Sequence, residues 1–399
     1  MIDIDRLLEA MIKVNASDLH LKVGSPPMYR INGDLRPVDH PRLAPKDTED
    51  VMLALAPARR REMFETHGTA DFAYALPSTG RFRINIFHQR GSISLAIRHV
   101  KIDIPSFEEL NLPQAIRTIV EVPRGLVLVT GVTGSGKSTT LAAMIEQINT
   151  ERTAHIMTIE DPIEFLIRDR RSIVNQREIG VDTHSFSNAL RAALRQDPDV
   201  ILVGEMRDFE TIETALTAAE TGHLVMSTLH TLDATETINR IISVFPPYQQ
   251  KQVRMQLATI LKAVISQRLV PRADGNGRVP ALEVLVSTAF VRECIGDKDR
   301  TKEIPEVISK GFTTYGMQTF DQSLMQLVKD GLVTYDEALK NVSNPDDFAL
   351  RFRGIASTSD SQWNEFDGEG GGEEEKEKPE SDNIDDALAD DDGFSIDRF

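Results

Sequence analysis

The stretch Gly131-Val132-Thr133-Gly134-Ser135-Gly136-Lys137-Ser138 constrains this chain more than any other part of its sequence. Two glycines that bracket four residues, followed by Lys and a hydroxyl residue, form the phosphate-loop pattern. A polyphosphate must be gripped by backbone N–H groups, and only residues without side chains let the backbone curl that closely around it. Lys137 would then place a point charge on the outer phosphates, and Ser138 would offer a hydroxyl to Mg²⁺.

The residues on either side of this loop have the order that the pattern requires. Residues 125–130 are a short apolar, β-branched run, which is typical of a buried parallel strand. Apolar residues then recur at helical spacing from Leu141 to Ile148, so a helix would point its positive dipole end at the anion. We therefore predict a nucleotide-binding site formed by Gly131, Val132, Thr133, Gly134, Ser135, Gly136, Lys137, Ser138 and Thr139. The alternative is a purely structural glycine turn.

Composition restricts the class of protein further. A chain of 399 residues suggests two or three domains. The absence of a long apolar run and the acidic N-terminus favour a cytosolic protein, and the single Cys294 excludes an internal disulfide framework and a multi-cysteine zinc site. Of the net charge of −17, residues 360–399 carry most, with 16 acidic and three basic residues. The rest of the chain is only mildly acidic.

Residues 1–100 have the pattern of a small α+β domain. Apolar spacing predicts a helix over residues 3–14 and a helical stretch around residues 46–66. Strands are predicted over residues 19–23, 28–31, 71–76, 81–89 and 92–100, with a hairpin turn at Asn32-Gly33. Alternation within the last two strands puts Arg81, Arg83 and Arg98 on the face that is not in the core. Residues 101–113 contain two prolines and are predicted to be a linker.

In residues 114–290, predicted strands alternate with helical segments, which is the pattern of a parallel sheet covered by helices. This pattern indicates an α/β nucleotide-binding core. Its predicted strands are residues 126–130, 155–160, 200–203 and 224–228. From Thr235 the spacing is helical, with predicted helices over residues 236–269, 288–296, 303–310, 318–330 and 335–341. We therefore expect a helical C-terminal region over residues 291–355. Residues 356–399 have too few apolar groups to offset ordering entropy and are predicted to be a disordered acidic tail.

Carboxylates follow two of these predicted strands. Glu205 comes directly after the run 200–203, where the edge of a parallel sheet binds ligands, and we assign it to orienting or deprotonating the attacking water and helping to hold Mg²⁺. Glu160 ends the run 155–160 and Glu164 follows it, and together with Asp161 they would repel one another unless a cation or an arginine lies nearby. Coordination of metal-bound water explains them, with Ser138, Glu160 and Glu205 as the metal-site residues. The alternatives are a helix cap for Glu205 and a solvated loop for the other three.

Histidines and arginines supply further candidates. His223 and His230 bracket the predicted strand 224–228 and could sense a γ-phosphate, although a structural role is the commoner one for such histidines. Transition-state charge on a γ-phosphoryl group is commonly balanced by arginine. Arg191 and Arg195 share a predicted helix face, while Arg81 and Arg98 lie on the N-terminal sheet. For each arginine taken singly, solvated surface is the better explanation.

Taken together, these motifs resemble a known family, the secretion ATPases of type II secretion and type IV pili. Within it the chain is most similar to the pilus retraction ATPases (PilT/PilU), and especially to the PilU paralogues. The resemblance extends over roughly residues 1–350. It rests on four segments in the family's order, which are residues 131–138, 158–164, 194–208 and 221–231. Two flanking segments, residues 16–21 and 316–321, support it.

This resemblance implies a homohexameric ring of subunits that each join a PAS-like N-terminal domain to a RecA-like ATPase domain. It implies ATP and Mg²⁺ as cofactors, with ATP at the interdomain cleft. Glu160 and Glu164 would fall in the family's Asp box, Glu205 at the Walker B glutamate and His230 in its His box. Arg81 and Arg98, supported by Arg195, would stabilise charge. The implied partners are a PilT-type retraction ATPase and the pilus platform protein of the inner membrane, with no nucleic acid and contact with the membrane only through partners.

Two departures from the family pattern favour the PilU type. Where PilT carries the signature Ala-Ile-Arg-Asn-Leu-Ile-Arg-Glu, this chain has Ala289-Phe290-Val291-Arg292-Glu293-Cys294-Ile295-Gly296, and the acidic tail is additional. We therefore expect a cytoplasmic hydrolase, peripheral at the inner membrane, that powers pilus retraction and twitching motility as an accessory motor. A nucleotide-binding structural adaptor of the ring is the second hypothesis. A nucleic-acid translocase, which would need basic stripes, is disfavoured by the acidic balance.

Overall fold

The structure is a computed structural model that describes residues 2–31, 33–77, 79–100 and 103–353. The predicted acidic tail lies outside the described residues. The described part contains two β-sheets with helices packed on them, so the chain has a mixed α/β fold. Among the described residues, no helix combines the length and the apolar character that crossing a membrane requires.

The first sheet and its helices are formed by residues up to Val100. Its helices are α1 (Ile4–Lys13), α2 (Pro45–Leu55) and α3 (Ala58–His67), and its strands are β1 (Asp18–Lys22), β2 (Met28–Ile31), β3 (Asp34–Pro37), β4 (Thr69–Leu76), β5 (Gly80–Gln89) and β6 (Ser92–Val100). The strand order is β3-β2-β1-β6-β5-β4, and all neighbours are antiparallel. The helical stretch expected around residues 46–66 is two helices, because Pro57 has no N–H to continue the first.

Alternation along β5 separates the core of this sheet from its arginines. Phe82, Ile84 and Ile86 are fully buried in a cluster with residues of α1, α2 and α3. Arg81 and Arg83 point to the other face, as the sequence predicts. In the register, Arg83 pairs with Arg98 of β6, so the arginines form one patch on that face.

The second sheet has seven strands in the order β13-β12-β7-β11-β10-β8-β9, and only β13 is antiparallel to its neighbour. The strands are β7 (Gly125–Thr130), β8 (His155–Glu160), β9 (Ile173–Glu178), β10 (Val200–Val203), β11 (Leu224–Leu229), β12 (Leu261–Pro271) and β13 (Arg278–Val286). Four of them confirm predicted strands. Their residues are almost entirely buried, because helices cover both faces of the sheet.

The helices around this sheet are α4 (Gln114–Val120), α5 (Lys137–Glu151), α6 (Phe186–Ala193), α7 (Phe209–Glu220), α8 (Ala234–Ser243) and α9 (Pro247–Ile260). Between β13 and residue 353 the chain is helical, as predicted. It forms α10 (Ala289–Gly296), α11 (Ile304–Lys310), α12 (Phe312–Tyr315), α13 (Phe320–Lys329), α14 (Tyr335–Leu339) and α15 (Pro345–Phe352), with a 3₁₀ turn at Thr301–Glu303. A small core joins α13, α14 and α15 to the ends of β12 and β13.

The predicted helix over residues 236–269 is wrong in its last nine residues. They belong to β12, and β13 and β9 are strands that the sequence analysis does not predict. Helical spacing runs on through α9, but the β-branched residues from Val264 to Val270 fit a pleated surface better than a helix. Asp274-Gly275-Asn276-Gly277, between β12 and β13, is a strong hairpin signal that favours the strands. The predicted domain boundaries stay predictions.

Candidate nucleotide-binding site

The phosphate-loop sequence lies between β7 and α5, and its three glycines, Gly131, Gly134 and Gly136, all have backbone conformations that other residues rarely adopt. Gly131 has φ 137° and Gly136, the N-cap of α5, has φ 90°. A Cβ at Gly131 would lie 2.4 Å from the carbonyl oxygen of Gln267, and one at Gly136 would lie 2.6 Å from its side-chain nitrogen. Glycine is therefore required at both positions by backbone angle and by the close approach of β12.

Lys137 is aimed into the loop. Its side chain is buried, and its Nζ donates hydrogen bonds to the carbonyl oxygens of Gly131 at 2.8 Å and Val132 at 2.9 Å. Burial lowers the pKa of Lys137, and the negative charge of Glu205 opposes that shift. Because its hydrogen-bond partners are neutral oxygens, the ammonium keeps a net positive charge inside the loop that suits a phosphate.

The hydroxyl residues Ser135, Ser138 and Thr139 lie in the glycine loop or in the first turn of α5. Ser138 is exposed and Thr139 is half-buried, both in the first turn of α5, where backbone N–H groups point toward an anion. Ser135 is buried, and its Oγ has no hydrogen-bond partner among the described residues. A buried hydroxyl without a partner inside a glycine loop is an observation that fits a polar ligand there.

Glu205 lies at the same edge of the sheet, two residues after β10. Its Oε1 forms an ion pair with Nε of Arg207 at 2.7 Å, and its Oε2 lies 3.4 Å from Nε2 of His230. His230 follows the end of β11, so the parallel register of β10 and β11 brings the two side chains together. The structure thus groups Lys137, Glu205 and His230 where β7, β10 and β11 end, as the sequence analysis expects.

Glu160 is the centre of a second group at this edge. It ends β8, and its Oε1 accepts hydrogen bonds from Thr158 Oγ1 at 2.6 Å and Gln176 Nε2 at 3.2 Å. Burial is the largest influence and raises the pKa of Glu160, the charge of Glu164 raises it further, and these hydrogen bonds oppose the shift. Glu164 is exposed, and its backbone N–H reaches the Glu160 carboxylate. Hydrogen bonds from β8, from β9 and from the loop after β8 therefore hold the Glu160 carboxylate.

Arg81 connects the N-terminal sheet to this second group. Its Nη2 lies 3.2 Å from Oε2 of Glu178, a buried residue that ends β9 beside Glu160. The Nε of Arg81 is buried and has no partner among the described residues. A neighbouring contact, from Arg60 to the carbonyl oxygen of Gly180, joins the same two parts of the chain. Arg81 thus lies near the predicted carboxylates, paired with one that the sequence analysis does not single out.

Three other candidates lie elsewhere in this chain. Arg98 is exposed and paired with Asp18 of β1 at 2.8 Å. Arg195 is exposed after α6, and His223 precedes β11, so both lie at the edge where the parallel strands begin. His223 bonds through Nδ1 to the carbonyl oxygen of Ala218 at 2.9 Å, a structural contact. A single chain therefore does not bring Arg98 or Arg195 to the phosphate loop.

Gln267 is a residue of this site that the sequence analysis misses, because it lies in the stretch predicted to be helical. Its buried side chain donates from Nε2 to the carbonyl oxygen of Ser135 at 2.6 Å and accepts at Oε1 from Thr140 Oγ1 at 2.8 Å. A cavity of about 320 Å³ opens beside it, lined by residues 131–135 together with Leu232, Gln267, Arg268, Leu269, Arg278 and Asn341. The hairpin signal after β12 is what could have revealed this strand.

The donor set suits Mg²⁺ that arrives with a nucleotide. The described residues contain no group of three or more His, Cys, Asp or Glu side chains that could hold a metal ion by themselves. Mg²⁺ in phosphoryl-transfer sites is usually held by one or two protein oxygens together with phosphates and water. The hydroxyl of Ser138 and the carboxylate of Glu205 provide oxygens of that kind at the correct edge of the sheet. Glu160 is held in its own hydrogen-bond group.

The strand, glycine loop and helix at the edge of a mixed sheet define an α/β protein with a phosphate-binding loop. Residues 1–308 match the family described as Type II/IV secretion system protein. Since the match covers more than half of the chain, this chain belongs to that family. The resemblance stated from the motifs is confirmed.

Relatives from Pseudomonas aeruginosa match over most of their length. The chain is 45% identical over 346 residues to its "Type IV pilus retractation ATPase PilT", covering 87% of this chain and 100% of that protein. It is 41% identical over 360 residues to its "Type IV pilus ATPase PilU", covering 90% and 93%. A crystal structure of the pilus retraction motor PilT and bound ADP superposes with a TM-score of 0.80 at 47% identity, covering 87% of this chain and 99% of that one.

Proposed function

We propose that the chain is an Mg²⁺-dependent ATPase that powers retraction of a type IV pilus, and hence twitching motility. The observation that carries the proposal is the glycine loop with buried Lys137, placed at one sheet edge with Glu205 and His230. Its biological setting is supported by the relatives named PilT and PilU and by the ADP bound in the PilT crystal structure.

The chemistry follows from the positions of these side chains. Loop amides and Lys137 bind the phosphates, and Ser138 and Glu205 would hold Mg²⁺, which screens the phosphate charge. Glu205 takes a proton from a water whose oxygen bonds to the γ-phosphorus while the bond to the β,γ-bridging oxygen breaks. The electron pair of the broken bond leaves on the β-phosphate oxygen of ADP, and the water oxygen becomes part of the released phosphate. His230, 3.4 Å from Glu205, orients that carboxylate and contacts the γ-phosphate.

The assembly that we propose is a homohexameric ring. Each subunit joins a PAS-like domain (residues 1–100) through a linker (101–113) to a RecA-like core (114–290) with a helical C-terminal region (291–355). Arg81 and Arg98 of the PAS-like domain, supported by Arg195, stabilise transition-state charge. Because Arg98 and Arg195 lie away from the loop of their own chain, they are candidates to act on a neighbouring subunit.

The cellular role within this proposal is that of an accessory motor. The ring acts with a PilT-type retraction ATPase on the platform protein, at the cytoplasmic face of the inner membrane, without nucleic acid. Identity is higher with the PilT relative, whereas the match to the PilU relative covers slightly more of this chain, 90% against 87%. The departure from the PilT signature within Ala289–Gly296 is what favours the PilU type.

A second candidate is a nucleotide-binding adaptor of the retraction ring without motor activity of its own. It is favoured by one observation, namely that Arg81 and Arg98 are both engaged by carboxylates of the same chain. The two candidates differ in whether the purified chain hydrolyses ATP in the absence of a PilT-type partner.

The test is ATP turnover by the purified full chain, together with twitching by cells that carry it as the only copy of its gene. We expect hydrolysis by the wild type and loss of both activities in Lys137→Ala. Lys310→Ala, on the exposed side of α11, is the matched control and should change neither. Unchanged turnover and twitching in Lys137→Ala would refute the proposed function, and hydrolysis only with a partner would favour the adaptor.

A further inference from the structure

One residue of the neighbouring strand, Gln267, contacts the phosphate loop with both its backbone and its side chain. Gln267 of β12 touches the loop at its beginning, through the backbone carbonyl packed against Gly131, and near its end, through the hydrogen bond to the Ser135 carbonyl. It also holds the first turn of α5 through Thr140. These three contacts come from one residue that is 3% exposed.

The contact with Ser135 decides where a loop amide points. In a trans peptide the C=O of one residue and the N–H of the next point in opposite directions. With the Ser135 carbonyl turned toward Gln267 at 2.6 Å, the N–H of Gly136 points away from β12. That side is the interior of the loop, where Lys137 Nζ also lies. The hydrogen bond thus fixes one of the donors that grip a phosphate.

The geometry points to Gln267 as a positioning residue for nucleotide binding. It holds the glycine loop in its phosphate-binding shape before any phosphate arrives, through the pair of hydrogen bonds to Ser135 and Thr140. This inference rests on the proposed function, because it requires a nucleotide at this loop. Gln267 touches loop and helix rather than the reacting atoms. Its loss should therefore weaken the binding of ground state and transition state alike, raising KM and leaving kcat nearly unchanged.

The experiment measures the ADP dissociation constant of the full chain by titration calorimetry with Mg²⁺, and KM and kcat for ATP. We expect Gln267→Ala to raise both Kd and KM on the order of tenfold. A change of that size corresponds to the free energy of about one net hydrogen bond. Gln267→Glu keeps the size but faces the Ser135 carbonyl with an oxygen, so it should bind ADP no better than the alanine variant. Thr140→Ser keeps the hydroxyl and should bind like wild type, whereas Thr140→Val should bind more weakly.

The control is a second buried glutamine with the same kind of double contact. Gln322 of α13 is 1% exposed, accepts from the Thr319 N–H at 2.9 Å and donates to the Ser309 carbonyl at 3.2 Å. Gln322→Ala should lower Tm without changing the Kd for ADP, which separates affinity from stability. A combined Gln267→Ala and Thr140→Val variant should bind within about twofold of Gln267→Ala, since the two share one contact.

The outcomes are distinguishable from failure of the proposed function. If the wild type binds ADP and Gln267→Ala binds it equally well, the positioning role is refuted while the proposed function stands. If the wild type and Lys137→Ala both fail to bind ADP, both proposals are refuted. Should Gln267→Ala fail to fold, Thr140→Val decides, and wild-type affinity in that variant would overturn the inference.

Discussion

The phosphate loop and the arginine face of the N-terminal sheet are both positively charged, yet they hold their charge differently. Lys137 donates to two neutral carbonyl oxygens. Arg81 and Arg98 are instead paired with the carboxylates of Glu178 and Asp18. An incoming phosphate adds its charge to the loop without displacing an anion, whereas at either arginine it must replace a carboxylate that is already there.

This difference assigns the two regions to different steps. The loop is complete within one chain and needs only the support of β12, so it accounts for binding. Under the proposed function, the arginines would act on a γ-phosphoryl group only after exchanging partners, by movement of the N-terminal sheet or by meeting a neighbouring subunit. Binding should therefore be insensitive to the arginines, and turnover should depend on both regions. Two variants test that division.

The largest effect is expected for Glu205→Gln. The amide keeps the shape of the side chain beside His230 but cannot take a proton, so kcat should fall on the order of 10²- to 10³-fold. The Kd for ADP should stay within about twofold of wild type when the purified chain is titrated without Mg²⁺, for which Glu205 is a proposed ligand. Glu220→Gln, which alters an exposed carboxylate bonded to Gln256, is the control. If Glu205→Gln weakened ADP binding by the same factor as it lowered kcat, the separation of binding from turnover would be wrong.

A smaller effect is expected for Arg81→Ala. If Arg81 exchanges Glu178 for a γ-phosphoryl oxygen in the transition state, its loss should lower kcat about tenfold, the effect of one charge-assisted hydrogen bond. The Kd for ADP should not change, because the arginine is not part of the loop. Arg83→Ala, on the same face of β5, is the matched control. Turnover at the wild-type rate in Arg81→Ala would remove this arginine from the proposed mechanism.

The contrast between the regions also explains what the sequence predicts and what it does not. The loop is a contiguous motif with a backbone requirement, so the sequence predicts it residue by residue, and the strand positions of Glu205 and His230 follow from the parallel register. Gln267 is absent from the prediction because its role depends on β12 lying beside β7, which is pairing between distant segments. The pairing of Arg81 with Glu178 is likewise a contact over 97 residues that periodicity does not reveal.

The same physical reason accounts for the errors in secondary structure. Helical spacing of apolar residues continues from α9 into β12, and only the β-branched residues and the following glycine turn distinguish the strand. Residues 173–178 of β9 lie at the edge of the sheet and are mostly polar, with Ile173 exposed. A strand of that composition gains its structure from pairing with β8.

The last expected effect is on stability rather than on turnover, and it concerns a carboxylate that supports the loop after His230. Glu283 of β13 is buried and accepts a hydrogen bond from the Ala234 N–H, at the start of α8, at 2.8 Å. Burial raises the pKa of Glu283 to about 7. The charge of Asp233 adds to this shift, while Arg268, Ser266 and the Ala234 hydrogen bond oppose it. The folded chain therefore favours the protonated form of Glu283 over the charged form.

The sign of the pH dependence follows from that raised pKa. Protonated Glu283 is favoured in the folded chain, so its contribution to the free energy of unfolding is full below pH 4.5, the ordinary pKa of the group, and is lost as the pH rises through about 7. The loss should be at most about 3 kcal/mol. Glu283→Gln mimics the protonated form and should flatten this part of the stability profile, measured by urea unfolding between about pH 5 and 8. Glu236→Gln, at an exposed carboxylate of the same helix start, should keep the wild-type slope. A slope that persists in Glu283→Gln would show that the pH dependence comes from another group, and that the support of the His230 loop does not depend on this carboxylate.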